Sequence, residues 1–143
     1  MRAGVAASLL TAALFLGGCS ATSVDATAGP TAAVAPAAGS SLSPSDFAAA
    51  AKLPDTVLLD VRTPSEFAAG HLAGAVNLDV QSAGFPKAAA ALDPAKNYAI
   101  YCHSGNRSKT AMTAMGQAGF SHLFDLAGGI TAWQSSGGQV VTN

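Results

Sequence analysis

Apolar residues come in short bursts along this chain, and their spacing alternates between two periods. Val57-Leu58-Leu59-Asp60-Val61, Ala75-Val76-Asn77-Leu78, Tyr98-Ala99-Ile100-Tyr101 and Leu123-Phe124-Asp125-Leu126 are brief, mostly apolar runs bounded by Gly, Pro, Asn or Asp. Such runs predict buried strands. Between them lie segments with helical signals. Ser43 followed by Pro44 predicts a cap and a first helical residue, with the helix running through Phe47 to about Lys52 and stopped by Pro54. Thr63-Pro64-Ser65-Glu66 predicts a second, short helix opened by a capping box and ended by Gly70. Pro86 to Leu92 is a weak alanine-rich helix. Asn106 to Ala118 fits a longer one, with Ala111, Met112, Met115 and Ala118 as the buried stripe and Gly119 as the stop. Gly128-Gly129 turns the chain into a last helix that carries Ile130 and Trp133. Strands alternating with helices at short intervals predict an α/β fold with a central parallel sheet flanked by helices.

The first segment has a different pattern. Arg2 precedes an apolar run, Val5 to Leu16, broken only by Ser8 and Thr11. That run is too short for an ordinary membrane-spanning helix and fits a signal peptide. It ends in Leu16-Gly17-Gly18-Cys19, which resembles the bacterial lipobox. The resemblance implies a signal peptide over 1–18, cleavage before Cys19 and lipidation of Cys19. It also implies an extracytoplasmic protein of the cell envelope or periplasm, bound to a membrane through its lipid. Residues 20–41 are rich in Ala, Thr, Ser, Gly and Pro, with one charge at Asp25. They are expected to be a flexible tether (19–41 with the lipidated cysteine), and the folded domain to span 42–143.

Composition narrows the function. A chain of 143 residues suits one domain. Its net charge of -1, with 10% charged residues, gives no basic surface for nucleic acid. Three scattered histidines and one thiol outside the leader match no metal-site spacing, so neither a metal nor a cofactor is expected. The expected form is a monomer. With Cys19 lipidated, Cys102 is the only cysteine left in the domain and has no disulfide partner within it.

Cys102 stands where chemistry is expected. In parallel α/β sheets ligands bind beyond the carboxyl ends of strands, and Cys102, Asp60 and Asp79 all occupy such ends. Cys102-His103-Ser104-Gly105-Asn106-Arg107-Ser108 is then a strand end, a polar loop with a glycine, and a helix start. Backbone N–H groups of such a loop can turn in around the sulfur, and the helix N-terminus adds positive potential. Both favour the thiolate, the reactive form. Arg107 supplies a forked cation. A buried, inert cysteine is the alternative for the same residue.

Several blocks together resemble the rhodanese family. They are Leu59 to Phe67, Gly70 to Asn77, Tyr101 to Ser108, Gly119-Phe120, and Leu126 to Trp133. The resemblance runs from about Leu42 to Val141. It implies a three-layer rhodanese-like fold and an active-site loop that begins at Cys102 and includes His103, Ser104, Gly105, Asn106, Arg107 and Ser108. The implied activity is sulfur transfer through a Cys102 persulfide, from thiosulfate or a persulfide donor to a thiol or cyanide. Loop length separates relatives of this fold. Cys102 and Arg107 are separated by four residues, as in the sulfurtransferases. The related phosphatases and arsenate reductases carry one more, which widens the loop for a tetrahedral oxyanion. A non-catalytic binding module is the other alternative, disfavoured because Cys102, Gly105 and Arg107 are all present.

The remaining candidates have plainer readings. Asp60 and Arg62 match the family's Asp-x-Arg block beside the site and are expected in supporting roles, with an Arg62–Glu66 ion pair as the structural alternative. His71 is expected to pack and hydrogen-bond. His122 is expected at the surface, and Phe120 and Trp133 in the core.

Overall fold

The computed structural model describes residues 24–142, so Cys19 and its surroundings lie outside the described residues. The elements are β1 (Ser40–Leu42), α1 (Pro44–Ala51), β2 (Thr56–Asp60), α2 (Pro64–Ala69), β3 (Val76–Asn77), α3 (Phe85–Ala90), β4 (Asn97–Tyr101), α4 (Asn106–Gln117), β5 (Leu123–Leu126) and α5 (Gly129–Ser135). The strands form one five-stranded parallel sheet in the order β1-β5-β4-β2-β3. Each strand expected from the apolar runs is present.

Period-two alternation divides the core between the two faces of the sheet. Leu58, Ala99, Tyr101, Phe124 and Leu126 pack with Phe47 of α1 and with Ile130 and Trp133 of α5. Leu59, Tyr98, Ile100, Cys102 and Leu123 face the other way, onto Phe85 and Ala89 of α3 and Ala111 and Met115 of α4. Phe120 and Trp133 are core, as expected. The stripe on α4 is narrower than the pattern suggested. Met112 is half-buried and Ala118 is exposed, while Ser108 is fully buried. The stripe shifts toward the helix start because the N-terminal turn of α4 passes over the ends of β4 and β5.

The boundary expected at Leu42 is also displaced. Ser40–Leu42 is an edge strand paired in parallel with β5, Ser41 opposite Asp125. Upstream of it, the Ala32 N–H donates to Ala49 O at 2.9 Å and Lys52 Nζ donates to Asp25 O at 3.0 Å. Val24 and Ala32 pack on the core cluster and Ala26 is buried. From Val24 onward the segment read as a tether is therefore a strap on the α1 face. It carries few large apolar residues, so no period marked it; its backbone groups and small side chains do the packing.

The strap adds to stability. Removing it deletes the β1–β5 ladder and the Leu42 carbonyl that accepts from the Ala127 N–H. A chain begun at Ser43 is expected to melt about 4 °C or more below one begun at Val24, as expected for a loss of at least around 1 kcal/mol in a domain of this size. Equal melting temperatures by circular dichroism would return this segment to the status of a tether.

Candidate active site

Cys102 follows β4 directly, and its side chain lies on the α4 face, 1% exposed. The loop after it returns at once. The Gly105 N–H donates to Cys102 Sγ at 3.1 Å, and the sulfur lies 3.8 Å from Ser108 Oγ. Among the loop amides of the described residues, Gly105 alone makes this bond to the sulfur. Gly105 is the N-cap of α4 and holds φ at 96°, a left-handed conformation that glycine adopts without penalty. A neutral amide donor on a thiolate forms a charge-assisted bond, of about 1.5–3 kcal/mol. His103, Ser104 and Asn106 are exposed on the rim.

The loop is held from below by α5. The Ile130 N–H donates to Cys102 O at 2.8 Å and the Thr131 N–H to His103 O at 3.2 Å; Thr131 Oγ1 donates to the same carbonyl at 3.0 Å. These are otherwise unpaired N–H groups of a helix's first turn. The approach requires Gly129. A Cβ there would sit 2.5 Å from the carbonyl oxygens of both Cys102 and His103, and φ is 60°. The Gly128-Gly129 pair was legible in the sequence as a turn, but its role as the seat of the loop was not. The useful signal is that two adjacent glycines are more than a turn of this kind needs.

Arg107 does not point free into the site. Its guanidinium pairs in two-pronged fashion with Glu66, Nη1 to Oε2 and Nη2 to Oε1, each at 2.7 Å, and Nη1 also donates to Gln81 Oε1 at 3.4 Å. Glu66 is placed by the expected capping box. The Glu66 N–H donates to Thr63 Oγ1 at 3.3 Å, while Glu66 Oε2 accepts from the Thr63 N–H at 3.1 Å. The Arg107 guanidinium, followed by the Thr63 bonds, holds the Glu66 carboxyl down at about 2, against the desolvation that opposes ionisation. In turn the Glu66 bond raises Arg107, and the charge of Cys102 contributes in the same direction. The cation of the loop thus pairs with the glutamate, and among the described residues no hydrogen bond joins it to the sulfur.

This arrangement corrects the Arg62–Glu66 alternative. Arg62 folds back on Asp60. Its Nε donates to Oδ1 at 2.9 Å and to Oδ2 at 3.0 Å, its Nη2 donates to Oδ2 as well, and Nη2 donates to Gly70 O at 2.7 Å. Both residues are buried, Asp60 at 0% and Arg62 at 4% exposure. Breaking a pair buried this deeply costs about 3–5 kcal/mol, against less than about 1 kcal/mol for an exposed one, so its weight is structural. It ties the end of β2 to Gly70 after α2, while the backbone ladder sets Asp60 in register with Tyr101 of β4. Burial pushes the Tyr101 phenol upward, and its oxygen accepts from the Leu72 N–H at 3.0 Å. Neither Asp60 nor Arg62 bonds to the sulfur.

The other expectations fall out simply. Asp79 caps its own turn through the Gln81 N–H at 2.9 Å and stays apart from the sulfur. His71 is buried, stacks on Phe67 at 3.7 Å between centroids and bonds through Nδ1 to Phe67 O. His122 is exposed. One buried residue near the site was missed, Asp125; its bonding partner Ser41 is itself exposed on the edge strand.

The fold and this loop can be set beside known proteins. The model of the rhodanese-like domain matches residues 43–136. The chain is 35% identical to thiosulfate sulfurtransferase 16, chloroplastic, of Arabidopsis thaliana, over 55% of this chain and 74% of that protein. It is 37% identical to thiosulfate sulfurtransferase GlpE of Pseudomonas aeruginosa, over 54% and 69%, and 34% identical to a sulfurtransferase of Allochromatium vinosum, over 61% and 79%. Among solved structures, a rhodanese-related protein from Thermoplasma volcanium superposes with a TM-score of 0.65 at 31% identity, covering 73% of this chain and 99% of that one. With the parallel sheet, the cysteine at the end of β4 and a family match over most of the described residues, this chain belongs to the rhodanese-like domain family.

Proposed function

We propose that this protein moves a sulfane sulfur from thiosulfate or a persulfide donor to a thiol or cyanide, through a persulfide on Cys102. The observation that supports this reading best is the Gly105 N–H on the Cys102 sulfur, at the start of the twelve-residue helix α4. A fixed donor and a helix N-terminus aimed at one sulfur stabilise negative charge on it, both as thiolate and as persulfide. The Cys102 thiolate attacks the outer sulfur of thiosulfate. A sulfur–sulfur bond forms to Cys102, the bond to the sulfite sulfur breaks, and sulfite leaves with the electron pair. An acceptor thiolate or cyanide then attacks the terminal sulfur and restores the Cys102 thiolate. Arg107 binds the anionic donor at the rim while keeping its contact with Glu66. The four-residue spacing between Cys102 and Arg107 supports sulfur over a tetrahedral oxyanion. One observation favours a non-catalytic binding module instead, the 1% exposure of Cys102, which requires the donor to reach the sulfur through the exposed loop residues.

We propose further that Cys19 carries the lipid anchor that its leader implies, placing the domain outside the cytoplasm on a membrane. Val24 packs on the domain five residues after Cys19. At about 3.4 Å per extended residue, that linker reaches at most about 17 Å, so the strap side would lie close to the bilayer.

Two experiments test these readings. After thiosulfate treatment, mass spectrometry should find one added sulfur on Cys102 in the wild type and none in Cys102→Ser. Arg107→Ala should keep the sulfur acceptance but raise the KM for thiosulfate about 10- to 100-fold, the equivalent of a lost charged hydrogen bond. Normal turnover in Cys102→Ser would end the persulfide reading. Metabolic labelling with palmitate should mark the wild type and leave Cys19→Ala unlabelled; equal labelling of both would end the anchor.

A further inference from the structure

Asp125 is a buried carboxylate that neither the fold nor the chemistry above uses. It is 0% exposed on β5, in register between Ser41 and Ile100. Its strand neighbour Leu123 lies on the α4 face, and the alternation places Asp125 on that face too. Its Oδ1 accepts from Ser41 Oγ, and its Oδ2 accepts from Ser108 Oγ at 2.6 Å. Among the described residues no cation lies within ion-pair distance of it. A buried carboxylate held by two hydroxyls alone is costly where an apolar residue would fill the same layer.

Ser108 connects it to the sulfur. Its single hydroxyl proton has two acceptors in reach, Asp125 Oδ2 at 2.6 Å and Gly105 O at 3.0 Å. The shorter, charge-assisted bond takes that proton. The remaining lone pair faces Cys102 Sγ at 3.8 Å and accepts from the resting thiol. A sulfur anion reverses the requirement. For the hydroxyl to donate to the sulfur, Asp125 must carry a proton and donate across the 2.6 Å contact to the hydroxyl oxygen. Hydrogen-bond direction therefore ties the charge on Cys102 to the proton on Asp125.

We propose that Asp125 is a positioning residue which, through Ser108, takes up the proton that Cys102 releases. The inference rests on Cys102 acting as the nucleophile. The S–H bond breaks as an O–H bond forms to Ser108 Oγ, and the original Ser108 proton passes to Asp125 Oδ2. Thiol and carboxylate become thiolate and carboxylic acid, with no change of net charge in the buried cluster. Two anions thus need not coexist in one apolar layer. During attack on thiosulfate Asp125 keeps this proton, and Ser108 donates to the sulfur anion. The groups that bear on the pair are Ser41 from β1, Ile100 from β4, Ser108 from α4, and the Arg107 cation, which couples to Cys102 from the rim. His103, next in sequence, is exposed.

The test is the rate of Cys102 alkylation by iodoacetamide against pH, in wild type and in Asp125→Asn, with folding followed by circular dichroism. The amide still accepts from Ser108 but cannot take the proton. The wild-type rate should rise in two stages, a first to a plateau set by molecules with the proton on Asp125, and a second when the pair is empty. Asp125→Asn should lose the plateau and rise once, at lower pH than the wild type's second stage, because the competing negative charge is gone. A single stage in the wild type overturns the proposal without any variant. Two stages that persist in Asp125→Asn also overturn it, because the second group is then not Asp125. Alkylation needs no sulfur donor, so a protein that keeps the two-stage contrast but never accepts sulfur from thiosulfate or a persulfide refutes the transferase reading alone.

Discussion

The site depends on two carbonyl groups. Cys102 O and His103 O are held by the first-turn N–H groups of α5, and only glycine at position 129 lets the backbones come that close. With those carbonyls turned down onto α5, the chain reverses within three residues and brings the Gly105 N–H back onto the Cys102 sulfur. The geometry that favours an anion on sulfur is therefore a consequence of how α5 seats beneath the loop. The sheet carries the same constraint outward. α5 is anchored by Trp133, fully buried against the α1 face, and the indole N–H donates to Gln139 O at 2.9 Å.

Charges around the loop divide by burial. The Asp60–Arg62 pair is sealed inside and holds the end of β2 to Gly70 after α2. Glu66 and Arg107 remain partly exposed, with about a quarter to a third of each side chain open to solvent. A pair of that kind contributes little to stability and leaves the cation within reach of an arriving anion. The loop thus combines a rigid backbone donor with a cation able to meet solvent. Asp125 sits on the third side, sealed like Asp60 but with no cation paired to it among the described residues.

Much of this was legible in the sequence, for identifiable reasons. The strands at Val57, Tyr98 and Leu123 announce themselves because buried parallel strands are continuous apolar runs. The capping box at Thr63 and Glu66 is a short-range pattern and formed as read. What escaped was long-range or polar. β1 has the sequence Ser40-Ser41-Leu42, which carries no apolar run, and its place at the sheet edge depends on pairing with a strand some eighty residues later. The Glu66–Arg107 pair spans 41 positions, so the nearer Arg62 looked the better partner. Asp125 was hidden by its own strand. An acid inside an otherwise apolar buried run was the available signal, and it points to a group that must be bonded in the core.

The central claim is that the loop's backbone, seated on α5, holds a charged sulfur on Cys102. The most direct measurement is the proton NMR signal of the Gly105 amide as Cys102 is loaded with sulfur by a persulfide donor. A downfield movement that tracks the loaded fraction, and that is absent in Cys102→Ser, is the predicted result. A Gly105 signal that stays in place while Cys102 demonstrably carries the extra sulfur would contradict the account.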